Sequence, residues 1–230
     1  MHRIRLEPGA QTIPLEHPME AVYYVISGKP SVPEPLTCET RSAESGSMSF
    51  VEPRARYEIG ADAQAVEIIG GPCPPDPALY RHLDRSGTTG DTNDGQGADG
   101  GPGEVRIFHR DRPYVLMPMI AKDARLVVWA GAGSHTADMN YVNMTAGEEN
   151  VPHAHSSSED TIFILAGDGT VEDVTNGATF EITKGKVVHV PKGVVHAVKA
   201  DKGSNVESVD GPAPADLQML KQMGIEVPGE

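Results

Sequence analysis

The stretch Val151–Asp160 reads VPHAHSSSED: two histidines two residues apart, then a pair of adjacent carboxylates. In a strand, side chains at i and i+2 lie on one face, so His153 and His155 can aim into one cavity. A turn at SSSE can bring a carboxylate beside them. Farther along, His196 follows the tight turn PKG and enters from a neighbouring strand. Three imidazoles and one carboxylate converging in this way make an N3O set suited to a borderline divalent metal: Fe, Mn, Ni, Co, Cu or Zn.

The elements that must position these side chains are short and β-rich. GTVEDV, ATFEIT, KVVHV and VVHAVKA are β-branched runs separated by the turn signals TNG, KG and PKG. The 25 glycines, 19 prolines and 5% aromatic content suit many short strands better than a helical bundle. Two helix-compatible tails stand out, PALYRHL and PADLQMLKQMG, with Gly224 placed to close the second. Between Asp84 and Glu104 the chain is almost entirely Gly, Asp, Thr, Ser and Asn, and it reads as a flexible acidic linker rather than a phosphate loop.

On either side of that linker the sequence repeats. YYVISGK at Tyr23–Lys29 answers IFILAGD at Ile162–Asp168, with Gly28 and Gly167 139 residues apart. Gly46 and Gly185 share that offset, and GPCPPDPALY answers GPAPADLQML at an offset of 140. The pattern points to a tandem duplication. Residues Val105 to Asn143 supply additional strands ahead of the second copy's histidines.

The second half runs Gly147, five residues, His153, one residue, His155, four residues, Asp160, six residues, Gly167; then Gly185, five residues, Pro191, one residue, Gly193, two residues, His196. These segments resemble the two signature motifs of the cupin superfamily, and the tandem arrangement resembles a bicupin. The resemblance implies an all-β chain of two tandem jelly-roll β-barrels with short C-terminal helices. It divides the chain into a degenerate N-terminal cupin (1–83), a linker (84–104) and a metal-binding C-terminal cupin (105–230). It makes His153, His155 and His196 the histidine ligands and sets Asp160 in the place of the family's glutamate. Because Asp is a methylene shorter, Glu159, Asp160 or a water can complete the site. Ala200 stands where the motif ends in Asn. Either acidic residue, if not firmly bound, can shuttle a proton. In the first half the matching positions hold Leu15, His17, Ala21 (with Glu20 beside it) and Tyr57, so a metal is not expected there. His17 is expected to be a surface or hydrogen-bonded residue.

The formal net charge of −14 argues against nucleic acid or an anionic membrane as partner. Cys38 and Cys73 lack metal or disulfide spacing, His109 and His135 have no partner at metal spacing, and no HExxH, GxSxG or P-loop occurs. His189, between Val188 and Val190, suits packing or a bond to a ligand as well as catalysis. Trp129 and the nine Met suit core or barrel lining. With no signal-peptide stretch, the chain is expected in the cytoplasm. The expected activity is that of a metal-dependent enzyme, dioxygenase-like, on a small oxygenated metabolite, with Fe or Mn as the metal. Isomerase, lyase or decarboxylase chemistry and non-catalytic ligand binding are the alternatives. A homodimer is also compatible with the resemblance.

Overall fold

Short β-branched runs become strands throughout the computed structural model, which describes residues 1–34, 38–76 and 103–228. In the first half these are β1 (His2–Leu6), β2 (Glu20–Ser27), β3 (Pro30–Glu34), β4 (Glu39–Ser42), β5 (Ser47–Val51), β6 (Gly60–Ala61) and β7 (Val66–Cys73). The second segment adds β8 (Val105–His109), β9 (Val115–Leu116), β10 (Asp123–Val128), β11 (Met139–Met144), β12 (Glu159–Ala166) and β13 (Asp168–Asp173). It ends with β14 (Ala178–Thr183), β15 (Val187–Val190), β16 (His196–Ala200), β17 (Val206–Asp210), β18 (Pro212–Ala213) and the helix α1 (Leu217–Gln222). The described residues are all-β apart from this helix and a 3-10 turn at Ala130–Ala132. The tail PALYRHL and the linker from Asp84 as far as Pro102 lie outside the described residues.

Two large curled sheets face each other, each backed by a small one. The first large sheet has the order β1-β7-β2-β5-β8 and its companion β4-β3-β6; the second runs β15-β12-β17-β11-β10-β9, with β18 on β12, and its companion is β14-β13-β16. Strand alternation divides the apolar residues between separate cores. On β2, Ala21, Tyr23 and Val25 enter the first core, whereas Val22 and Tyr24 face the second half. On β12, Ile162 and Ile164 enter the second core, and Phe163 meets Val22, Tyr24, Met139 and Val209 in a shared layer between the halves. Both faces of these strands are therefore apolar, which explains why YYVISGK and IFILAGD are nearly continuous hydrophobic runs.

The repeat is visible in the pairing itself. The β2–β7 ladder slips between Val25 and Ser27, and the β12–β17 ladder slips between Ile164 and Ala166, at the same offset. At the ends of these strands, Gly28 (φ +88°) and Gly167 (φ +86°) sit in the left-handed region, where the backbone of Ala65 or Asn205 leaves no room for a Cβ. An isolated bridge joins Leu15 to Tyr57 in the first half and His153 to His196 in the second.

One strand crosses the boundary read from sequence. β8, placed by its position in the second unit, pairs with β5 of the first large sheet, from Ser47↔His109 to Val51↔Val105. It covers the edge of β5 and buries Val105 in the first core. Sequence spacing signals that a strand is present there but not which sheet edge it covers.

Candidate metal centre

His153 and His196 are held face to face by reciprocal backbone bonds, His153 N–H to His196 O (3.1 Å) and His196 N–H to His153 O (2.9 Å). The carbonyl of His155 accepts from Gly193 N–H at 2.9 Å, extending the pairing by two residues. The HxH strand is thereby tied to the turn that delivers His196, as the i, i+2 spacing requires. The ring centroids lie 4.4 Å (His153–His196), 5.3 Å (His153–His155) and 5.7 Å (His155–His196) apart. One ligating nitrogen from each ring falls within 4.8 Å of the others. His155 and His196 are buried and His153 is half-buried.

The tautomers follow from what surrounds each ring. Nδ1 of His153 lies 2.9 Å from Val151 O, Nδ1 of His196 lies 3.2 Å from Val194 O, and Nδ1 of His155 lies 3.0 Å from Asp216 Oδ2. Each partner only accepts, so each Nδ1 carries a proton, and Nε2 is the ring nitrogen left to ligate a metal. Burial, the largest influence, pushes the His153 imidazolium down to about 4 and also lowers that of His196. Near neutral pH both rings are neutral, the form that ligates a metal.

Asp160 brings a carboxylate beside two of the rings. Its Oδ2 stands 3.9 Å from His155 Nε2 and 4.0 Å from His196 Nε2, while Oδ1 accepts from Thr161 N–H. Glu159 is turned the other way: its side chain is 63% exposed, and its carboxylate lies 4.0 Å from the exposed His189. Neighbours on a strand point to opposite faces, so the alternative of Glu159 as ligand or proton shuttle does not match its position on β12. His189 likewise faces outward and packs against nothing at the centre. The set of three imidazoles and one carboxylate, with every Nδ1 already engaged, fits a borderline divalent transition metal.

The sequence reading missed several contributors. Asp216 orients His155 with one oxygen and caps helix α1 with the other, through Met219 N–H at 3.0 Å. A signal for it existed: in the first half, the corresponding Asp76 binds Nδ1 of the corresponding His17 at 2.9 Å. His17 is buried rather than at the surface, and it is hydrogen-bonded as expected. Asp138, Asn140 and Asp210 also line the cavity around the histidines, together with Met117, Met219 and Met223. Its volume is about 40 Å³. Trp129 packs against the second core.

The first half also reaches toward this site. Glu20 accepts from the backbone N–H groups of His135, Thr136 and Ala137 and from the hydroxyls of Ser134 and Thr136, all between 2.7 and 2.9 Å. Burial raises its carboxyl pKa, but these donors outweigh that and hold it below the ordinary value. The clamp fixes the loop that leads directly into Asp138 and β11.

Residues 140–210, which span β11 to β17, match the family described as "Cupin domain". This segment is similar to a cupin domain. Among solved structures, the chain is similar to a cupin 2 conserved barrel domain protein from Leptotrichia buccalis, at 16% identity over 90% of this chain and 80% of that one, with a TM-score of 0.52. It is similar to oxalate decarboxylase from Bacillus subtilis, at 16% identity over 93% and 67% of the two chains and a TM-score of 0.63. Vicilin from Corylus avellana (hazelnut) is similar at 14% identity over 93% and 74%, with a TM-score of 0.60. At these identities the likeness shows the fold alone. No curated protein sequence matches the chain. The histidine cluster lies wholly inside the matched segment. Among the described residues, no helix is long and apolar enough to cross a membrane.

Proposed function

We propose that the chain is a bicupin whose C-terminal barrel binds one divalent metal, Fe or Mn, on His153, His155, Asp160 and His196. In this reading it acts as a metal-dependent, dioxygenase-like enzyme on a small oxygenated metabolite. The observation that carries the proposal is the convergence of three Nε2 lone pairs, each fixed by a bond at Nδ1, beside a buried carboxylate. The repeated ladder slip and the repeated Leu15–Tyr57 and His153–His196 bridges support two tandem barrels. Bacillus subtilis oxalate decarboxylase, similar in fold, has Mn(II) centres. That supports Mn as a candidate beside Fe.

Bound here, such a metal supplies Lewis acidity and one-electron chemistry toward O2. The chain's own residues hold the site. Asp216 keeps His155 in the ligating tautomer, and the apolar wall of Met117, Ile120, Met219 and Met223 limits the entry of water. Asp160 faces the Nε2 atoms of His155 and His196, which places its carboxylate to take or return a proton on the side where a metal would bind. In the cell we place the protein in the cytoplasm, acting on a small molecule rather than on nucleic acid or membrane, with a homodimer as a compatible assembly.

The test is metal content after purification without chelators, comparing the native chain with the His153→Ala, His155→Ala double variant. About one metal per chain is expected in the first, and little in the second with the fold intact. O2 uptake with a panel of enols and catechols then checks the activity. Metal without turnover of any compound turns the reading to non-catalytic ligand binding, and failure of the native chain to bind metal removes it.

A further inference from the structure

The polar wall of the C-terminal cavity has a chemical bias of its own. Asp138, Asn140, Ser208 and Asp210 line it, and among its described lining residues there is no Lys or Arg. Asp138 Oδ1 and Asn140 Oδ1 are buried with no hydrogen-bond partner, in residues only 6% and 7% exposed. Asp210 already accepts from Asn140 Nδ2 at 3.1 Å and from Ser208 Oγ at 3.3 Å. The two unmatched atoms are therefore acceptors awaiting a donor, and a buried acceptor left alone is costly.

We propose that this cavity selects small, uncharged ligands that present N–H or O–H donors to Asp138 and Asn140, and that it discriminates against carboxylates. The inference deepens the metal-enzyme reading by naming the substrate class of the same cavity. A carboxylate lying away from the metal would sit among Asp138, Asp160, Asp210 and Asp216 with no cationic side chain to receive it. A hydroxyl or amide group there satisfies the orphaned acceptors, and a site built around such bonds rejects analogues lacking them.

Glycolamide and glycolate are matched in size and differ in charge and donors. Their dissociation constants are to be measured by calorimetry on the metal-free and the metal-loaded protein, for the native chain, Asp138→Asn and Asp210→Asn, after thermal melts establish folding. In the native chain we expect glycolamide to be favoured in the metal-free form. Either variant is expected to shift the glycolate-to-glycolamide affinity ratio toward glycolate by at least about tenfold, because it removes an acid from the wall. A ratio unchanged within twofold in both variants, or native metal-free protein preferring glycolate, overturns the inference. Absence of metal binding by the native chain sinks the metal-enzyme reading but leaves this comparison readable on the metal-free form.

Discussion

The two halves carry one frame and two different interiors. In the second, His155 is braced by Asp216, and His153, His196 and Asp160 close around it. In the first, His17 is braced by Asp76 in the same way, yet Leu15, Tyr57 and Ala21 stand where the other three would be. There the Tyr57 hydroxyl meets that of Tyr23 at 2.7 Å, and the space left beside them is about 10 Å³. The difference separates two jobs of a His–Asp pair. One pair orients a ring whose Nε2 faces the other two histidines. The other ties the HxH-like strand to the segment after β7, with His17 Nε2 buried and unmatched. A braced histidine is thus a property of the frame, and only the three positions around it decide whether chemistry follows.

The comparison can be broken most forcefully at the braces. Asp216→Asn removes the charge that holds His155 Nδ1–H and is expected to weaken metal affinity by about 10- to 100-fold, the range for outer partners of ligating histidines. Asp76→Asn is expected to leave metal affinity unchanged and to lower stability by about 1–3 kcal/mol through the disturbed buried bond. Metal titration and urea melts of both variants check this. Equal loss of metal affinity in the two would mean that the braces act through the fold and not through the ligand.

Much of this contrast was legible in the sequence because spacing encodes it. The i, i+2 histidines, the PKG turn and the 139-residue offset depend on local periodicity, and local periodicity survives into the strands. The choice between Glu159 and Asp160 was not legible, since it depends on where the SSSE turn starts the alternation of β12; one residue of slip exchanges the two faces. The role of β8 was hidden for a related reason: VRIFH reads as a strand whichever sheet receives it. Asp138 and Asp210 were invisible because they lie far from the histidines in sequence and carry no motif. Only the pairing of β11 with β17, Asn140 opposite Asp210, brings them to one cavity.

A subtler separation appears with pH. In the metal-free protein the His153 pKa is down to about 4, below the ordinary 6.5, chiefly through burial. Between these values the unfolded chain binds more protons than the folded one, so His153 contributes stability above pH 6.5 that is lost as pH falls toward 4. Asp210, raised to about 8, acts with the opposite sign: its folded form binds the extra proton, and it stabilises progressively as pH falls from 8 toward 4. His153→Gln is expected to flatten the acid-side decline of stability relative to the native chain, read by urea melts between about pH 6.5 and 4.5. Leu15, at the matching position of the first half, does not titrate, and Leu15→Gln should leave the slope unchanged. An identical slope in the native chain and His153→Gln would remove His153 from the account.

The smallest expected effect is the sharpest check on which carboxylate belongs to the centre. Glu159 and Asp160 are adjacent, equally acidic in sequence and equally available to a motif; only strand alternation tells them apart. Glu159 is exposed and its nearest basic group is the exposed His189, so Glu159→Gln is expected to change stability by no more than about 0.5 kcal/mol and metal affinity by less than about twofold. Asp160→Asn keeps the shape but removes the charge that lies within 4.0 Å of two ligating rings, and metal affinity should fall by at least about tenfold. Titrating both variants with the same metal measures the two against each other. A larger loss in Glu159→Gln than in Asp160→Asn would mean that β12 is shifted by one residue when the metal is bound. The first half already shows the outward position put to another use: Glu20, the counterpart of Glu159, reaches across to the loop before Asp138. A position that faces the other half of the chain in one case and solvent in the other is one the frame leaves free, whereas the inward position beside it is fixed by whatever the cavity must hold.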